Sequence, residues 1–158
     1  MKWSKEKFSR EVLAAEGSLY RVAYSILRRN EDCADAIQEG VLKAWRKQHT
    51  LREEQFFKTW LTRIVINECY LILRRRKRET LMDEVPEQPV FAQERDGTAM
   101  AELQKLEEKY RLPIVLHVIE GYTSKEIGKM LGLPDATVRT RLMRGKAILK
   151  KRLEGEKS

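Results

Sequence analysis

Several features that mark other protein classes are scarce in this chain. Its 158 residues include only two cysteines and two histidines. Cys33, Cys69, His49 and His117 stand at wide, irregular spacings that differ from those of zinc ligands. Both cysteines lie within apolar helical patterns. The sequence therefore predicts buried, inert thiols, with no metal site and no cofactor.

Long apolar runs are also missing. No stretch approaches the roughly 18 consecutive apolar residues that a membrane-spanning helix needs. The first eight residues, Met-Lys-Trp-Ser-Lys-Glu-Lys-Phe, lack the apolar centre of a signal peptide. These absences predict a soluble, cytoplasmic protein with no direct insertion into a membrane.

Basic residues outnumber acidic ones, and the acids are unevenly spread. The chain has 32 Lys and Arg against 24 Asp and Glu, a net charge of +8. Such a surplus is typical of proteins that bind nucleic acid or an anionic membrane. Residues 79–97, in contrast, hold six acids, a single base (Arg95) and two prolines, Pro86 and Pro89. This composition predicts a flexible acidic linker.

Helical patterns flank the acidic segment, and no strand pattern competes with them. We expect an all-α protein of two small helical domains, 1–78 and 99–158, joined by a linker at 79–98. In the first domain, Gly17 marks a candidate bend, and Asn30 is a candidate N-cap of the second helix. The third helix is expected to bury one apolar face and to end in the basic run Arg74–Arg78. That predicted face comprises Phe57, Trp60, Leu61, Ile64 and Leu71.

The second domain contains the pattern of a helix-turn-helix. Pro113 is expected to open a short apolar helix before it. Thr123 and Glu126 have the spacing of a capping box, which predicts the start of the first helix of the motif. Gly132 fits the left-handed residue that ends this helix, and Pro134 can open the next one. The second helix of such a pair usually enters the DNA major groove.

A rotation of 100° per residue divides this second helix into two faces. Val138, Leu142 and Gly145 fall on the expected core face, together with Leu149 and Leu153. The opposite face suits DNA: an arginine can donate to guanine, threonine and methionine can contact a base edge or thymine methyl, and lysine can contact phosphate. The alternative is a solvated basic face on a structural helix. The candidate DNA contacts are Arg139, Thr140, Arg141, Met143, Arg144 and Lys151.

Polar residues of the second predicted helix allow three interpretations. Asp35, Gln38 and Glu39 share one helical face. Asp35 and Glu39 are spaced like a helical carboxylate pair, but no histidine or further carboxylate follows at a matching spacing on a facing helix to complete a metal site. A plain polar face and a protein-docking face remain as the other two interpretations.

The motifs together resemble one bacterial family. The segments Asp35-Ala-Ile-Gln38-Glu39, Lys43-Ala-Trp45 and Phe57-Lys-Thr-Trp60 through Asn67 are similar to the first conserved domain of extracytoplasmic-function (ECF) sigma factors. These are small members of the sigma-70 family. Ile119-Glu-Gly121 through Gly128 and Thr137-Val-Arg-Thr-Arg-Leu142 resemble their fourth conserved region. The resemblance covers nearly the whole chain apart from the linker.

This resemblance implies roles for residues of the first domain. One helical face would dock on the RNA polymerase core, while the third helix and the loop before it would bind and open the minus-ten promoter element. The loop would form a pocket for a flipped base. The implied docking residues are Asp35, Gln38, Glu39, Lys43 and Trp45. The implied minus-ten residues are His49, Thr50, Arg52, Arg63, Asn67, Arg74, Arg75 and Arg76.

The resemblance also implies the wider function and partners. The second domain would bind the minus-thirty-five element, so the chain would be an alternative sigma factor and not an enzyme. Its partners would be polymerase core, promoter DNA and an anti-sigma factor, which is often membrane-anchored in the family. The acidic linker is either a mimic of nucleic acid within the polymerase or a solubilising tether. The competing function is a stand-alone helix-turn-helix regulator.

Overall fold

The chain forms two compact units, Met1–Gln88 and Pro89–Ser158, which are described separately below. The computed structural model describes residues 2–83 and 98–155, except for the side chains of 81–83. Within these ranges the regular structure is helical and contains no strand, which confirms the predicted all-α class. Most of the predicted acidic linker lies outside the described residues.

Three long helices make up the first unit. They are α1 (Lys5–Leu27), α2 (Asn30–Arg46) and α3 (Phe57–Asp83), each packed against the other two. Short 3₁₀ turns, Gln48–Thr50 and Glu54–Phe56, connect α2 to α3. Leu19, Val22, Leu61 and Val65 are fully buried between the helices. Apolar residues at helical spacing therefore build one core here.

Four details of the first unit differ from the sequence expectations. α1 continues through Gly17 without a break. Asn30 is the first residue of α2 and not its N-cap, because Arg29 takes the cap position with extended backbone and Asn30 accepts a hydrogen bond from the Tyr20 hydroxyl. Leu71 is 46% exposed, and Ile72 is buried in its place. α3 extends five residues past Arg78.

The second unit is built around one long helix. Its helices are α4 (Ala99–Lys105), α5 (Glu108–Ile114), α6 (Ser124–Leu131) and α7 (Asp135–Gly155), and the first three pack on α7. A π-helical turn, Val115–Ile119, follows α5. Pro113 lies inside α5 and does not open it, because α5 begins earlier, with Glu108 in its first turn. An acid in that position favours a helix start.

Candidate nucleic-acid interface

The turn between α6 and α7 has the geometry that the sequence predicts. The Glu126 N–H donates to Thr123 Oγ1 at 3.1 Å, and the Thr123 N–H donates to Glu126 Oε1 at 3.0 Å. This reciprocal capping box fixes the start of α6. Gly132 ends α6 with φ of 68°, a left-handed conformation that glycine adopts without steric cost. α7 starts at Asp135, one residue after Pro134.

Close packing of the turn depends on a glycine. A Cβ placed on Gly128 would lie 2.6 Å from the Leu133 backbone oxygen. The Leu133 N–H, in turn, donates to the Gly128 carbonyl at 2.9 Å. The hydroxyl of Ser124 donates to the carboxylate of Asp135, which links α6 to the first turn of α7. The orientation of α7 against α6 is therefore fixed by short backbone and side-chain contacts.

α7 presents a basic face to solvent. Val138, Leu142 and Gly145 are buried, as their rotation around the helix predicts. Met143 is 65% exposed, and Arg144 and Lys151 are exposed as well. An exposed methionine amid arginines is well suited to contact bases, since it can meet a thymine methyl.

Two of the candidate contacts on α7 already have partners within the chain. Arg139 forms an ion pair with Asp135 at 3.2 Å, and both side chains remain substantially exposed. The hydroxyl of Thr140 donates to the Ala136 carbonyl at 2.9 Å. Solvent-exposed pairs of this kind contribute little to stability, so Arg139 can exchange its partner for DNA.

A cationic groove lies beside the exposed face, between α5 and α7. Lys109 and Tyr110 form one wall, and α7 forms the other with Arg141 and Arg144. The sequence analysis did not identify Lys109 or Tyr110. The Lys109 side-chain nitrogen lies over the Tyr110 ring, 5.1 Å from the ring centroid, in a cation–π contact. The remaining lining residues are Ala136, Thr137 and Thr140.

On α2 of the first unit, the acidic face also carries exposed apolar side chains. Asp35, Gln38 and Glu39 are exposed, in agreement with their shared helical face. Leu42, which sequence analysis did not single out, is 42% exposed, and Trp45 is 38% exposed. A spacing of three residues on each side places Leu42 between Glu39 and Trp45 on one face. Carboxylates around apolar groups form a surface typical of protein docking.

Lys43 and Arg76 are held within the first unit. Lys43 forms an ion pair with Glu68 of α3, whose side chain is 9% exposed. Arg76 donates from two nitrogens to Asp32, whose carboxylate is 3% exposed. Helical rotation turns Arg76 away from Arg74 and towards α2. Both residues were singled out for contacts with other molecules, and both join helices of the first unit instead of projecting freely.

A polar, cationic strip runs along the outer face of α3. Arg63, Asn67 and Arg74 are exposed and recur at helical spacing, and Arg75 is exposed at the edge of the strip. In the loop before α3, the side chains of His49, Thr50 and Arg52 are exposed, whereas Leu51 is 5% exposed. Phe56, at the end of this loop, is 52% exposed. Single-stranded nucleic acid is typically bound by such combinations of cations and exposed aromatic rings.

The cysteines do not belong to a reactive site. Both are buried, and burial raises the pKa of Cys33 to about 12 and also raises the pKa of Cys69. Among the residues that the structure describes, no group of three or more His, Cys, Asp or Glu side chains could hold a metal ion. No helix in the described part of the chain combines the length and apolar character needed to cross a membrane.

Comparisons with known proteins agree with this arrangement. The model of sigma-70 region 2 matches residues 12–79, and that of sigma-70 region 4 matches residues 98–149. ECF RNA polymerase sigma factor SigW of Bacillus subtilis is 28% identical, over 96% of this chain and 91% of SigW. ECF RNA polymerase sigma factor SigM of Mycobacterium tuberculosis is 33% identical, over 83% of this chain and 69% of SigM.

Solved structures show the same similarity. The sigma factor RpoE from Bartonella quintana, in complex with the anti-sigma factor NepR, is 25% identical with a TM-score of 0.79. That match covers 94% of this chain and 98% of RpoE. CnrH, in complex with the cytosolic domain of CnrY, is 25% identical with a TM-score of 0.70, over 96% of this chain and 90% of CnrH. The chain therefore belongs to the sigma-70 family and is an ECF RNA polymerase sigma factor.

Proposed function

We propose that this sigma factor binds bacterial RNA polymerase core in the cytoplasm and directs it to promoters with two DNA elements. It acts as a specificity subunit and catalyses no reaction itself. Binding to core aligns two DNA-binding units on one promoter. Each unit can bind weakly, because attachment to a common body raises its effective concentration at the DNA.

The observation that carries this proposal is the α2 face. Leu42 and Trp45 are substantially exposed beside Asp35, Gln38 and Glu39. A stand-alone helix-turn-helix regulator would instead use this unit as a sensor or for dimerisation. The surface suits a partner with cations around an apolar patch, and we assign it to the polymerase core.

The minus-ten element is assigned to the first unit. The strip of Arg63, Asn67 and Arg74 provides cations along α3, and Arg75 can reach the same strand from the edge of the strip. The loop carrying His49, Thr50 and Arg52 would surround a flipped base. Capture of an unpaired base offsets part of the few kcal/mol spent on unstacking it. Arg76 contributes by holding α3 to Asp32.

The minus-thirty-five element is assigned to α7. Arg144, Met143 and Thr140 would lie in the major groove, with Arg139 and Arg141 at its edges. The cationic groove beside them would hold the DNA backbone. Lys151, further along α7, would contact phosphate.

Transcription with purified components tests the proposal. Run-off transcripts from genomic fragments, made by core with and without the protein, should show new start sites that share one two-element motif. Glu39→Arg should abolish these starts, while binding to a minus-thirty-five duplex stays unchanged. Glu16→Arg, the same change at an exposed site on α1, is the matched control. If Glu39→Arg transcribes normally, the assignment of α2 to core docking is wrong.

The same assay separates the alternative function. A stand-alone regulator would bind duplex DNA specifically but would create no new start sites with core. Specific duplex binding combined with inactive holoenzyme, for cores from several bacteria, would favour the regulator.

We also propose that an anti-sigma factor controls this protein. RpoE of Bartonella quintana was solved in complex with the anti-sigma factor NepR, and CnrH in complex with the cytosolic domain of CnrY. The tagged protein, purified from its own cells, should carry a binder that competes with core polymerase. A binder that tolerates core in a ternary complex would contradict this proposal. An anti-sigma factor anchored in the membrane, as is common in the family, would hold this sigma factor at the membrane.

Lys109 tests the assignment of the groove. Because Lys109 lies on α5 and not on the helix proposed to read the bases, Lys109→Ala should weaken binding to specific and random duplexes equally. The slope of log K against log salt should fall by about one. Lys125→Ala, an exposed lysine on α6, is the control. Loss of binding to the specific duplex alone would contradict a phosphate contact.

A further inference from the structure

The N-terminal segment Trp3–Phe8 lies against the loop between α2 and α3. The Trp3 backbone N–H donates to Gln48 Oε1 at 2.7 Å, and its indole Nε1–H donates to Glu54 Oε1 at 3.1 Å. Lys7 Nζ forms an ion pair with the same Glu54 oxygen at 2.7 Å. Trp3 thus contacts both 3₁₀ turns of the loop, and Lys7 contacts the second turn.

Aromatic packing fixes the segment to the ends of the flanking helices. The Trp3 ring centroid lies 4.6 Å from that of Phe57, the first residue of α3. Phe8 packs edge-on against Trp45 near the end of α2, with centroids 5.1 Å apart. Trp3 and Phe8 are 9% and 5% exposed. These buried ring contacts attach the segment to the end of α2 and the start of α3.

The loop is built from short local turns and buries little of its own surface. Its two 3₁₀ turns are each three residues long. Between the two turns only Leu51 is buried, and the flanking residues Thr50 and Arg52 are exposed. Short 3₁₀ turns have poor hydrogen-bond geometry and rarely hold a shape alone.

We propose that Trp3 and Lys7 are positioning residues that hold the loop in the conformation required to recognise the minus-ten element. They contact Gln48 and Glu54, which bracket the exposed His49, Thr50 and Arg52. This inference rests on the proposed role of the loop in minus-ten recognition. It goes further by assigning control of that role to the segment Trp3–Phe8.

Charge exchange tests the link in the full-length protein. Lys7→Glu and Glu54→Lys should each raise hydrogen exchange at the amides of Thr50, Leu51 and Phe56, which donate within the loop. The double variant, whose net charge is that of the wild type, should recover at least half of this protection. Lys5→Glu, an exposed site two residues away, is the matched control. If both single variants show the hydrogen exchange of the wild type, Lys7 does not hold the loop in position.

A second measurement tests its effect on recognition. Discrimination between a promoter and its minus-ten variant, measured as open-complex formation with core, should fall roughly two- to fivefold in each single variant. It should recover in the double. Core affinity, minus-thirty-five duplex binding and the melting temperature should stay unchanged. Increased exchange with wild-type discrimination would overturn the positioning role. If the wild-type protein is inactive with core, the proposed function is wrong. The hydrogen-exchange result would still decide whether the N-terminal segment Trp3–Phe8 stabilises the loop.

Discussion

The Arg76 guanidinium donates two hydrogen bonds to Asp32, and this contact raises the pKa of Arg76. The two partners differ in exposure: the Asp32 side chain is 3% exposed and that of Arg76 is 35% exposed. A buried carboxylate without a partner costs far more than a cation that can turn to water. The pair is therefore energetically asymmetric, although both residues make the same contact.

Removing the arginine should harm stability more than removing the acid. We expect Arg76→Met to lower the free energy of unfolding by about 2 kcal/mol, and Asp32→Asn by about 1 kcal/mol. Urea unfolding followed by circular dichroism measures both. Arg75→Met, at an exposed site one residue away, should change the free energy of unfolding by less than about 0.5 kcal/mol. If Asp32→Asn destabilises the protein more than Arg76→Met does, the Asp32 carboxylate is stable in its buried site without the arginine.

The cysteine thiols should resist modification in the folded protein. A pKa of about 12 for Cys33 leaves about one thiolate in ten thousand at pH 8. Burial of Cys69 acts in the same direction. Ellman's reagent at pH 8 should therefore react slowly with native protein and at once with both thiols in denaturant. A rapid reaction of one thiol before unfolding would contradict inertness.

At the scale of elements, local signals predicted the helix-turn-helix well. The capping box and the left-handed Gly132 act through neighbouring backbone groups, so they can be recognised in the sequence. Start signals that depend on distant contacts failed. Asn30 has the chemistry of an N-cap, but its amide oxygen accepts from Tyr20 of α1 instead.

The end of α3 shows a different limit of sequence analysis. Acidic composition suggested a linker from residue 79, yet acids do not stop a helix. The first strong helix breaker in this region is Pro86.

The contact of Arg76 with Asp32 could not be predicted from the sequence either. Five consecutive bases look equivalent in sequence, and only helix rotation and the position of Asp32 distinguish them.

The crossing of α2 and α3 depends on Gly40. A Cβ there would lie 2.7 Å from Val65 Cγ2 and 3.3 Å from Val65 Cα. Gly40→Val should therefore overpack the crossing and lower the free energy of unfolding by about 1–3 kcal/mol, despite the better helix propensity of valine.

A double variant separates crowding from other effects. Val65→Ala alone should also destabilise, because it leaves a cavity. Combined with Gly40→Val, it should restore stability, with a coupling of at least about 1 kcal/mol in urea unfolding. Additive losses would mean that Gly40 does not act through Val65.

At the scale of the whole molecule, the sequence predicted the residues of the two surfaces that we propose bind DNA, but not what supports them. The basic face of α7 follows from charge and helix rotation, whereas the polar strip of α3 was implied by the resemblance to ECF sigma factors. Lys109 and Tyr110, and the contacts of Trp3 and Lys7 with the loop, join residues far apart along the chain or on different helices. Their partners could be found only from the fold.

The exposed face of α7 yields a prediction about promoter choice by the intact protein. If Arg144 donates to a guanine, Arg144→Ala should reduce discrimination for the minus-thirty-five element by about 1–3 kcal/mol. Competition between wild-type and substituted promoters in transcription with core measures it. On a promoter whose minus-thirty-five guanine is already replaced, the variant and wild type should be equally active.

Arg152→Ala serves as the control, because Arg152 is an exposed basic residue further along α7. It should weaken transcription from both promoters alike. Equal loss for Arg144→Ala on specific and random DNA would make Arg144 a phosphate contact and move base recognition to Arg139, Thr140 and Met143.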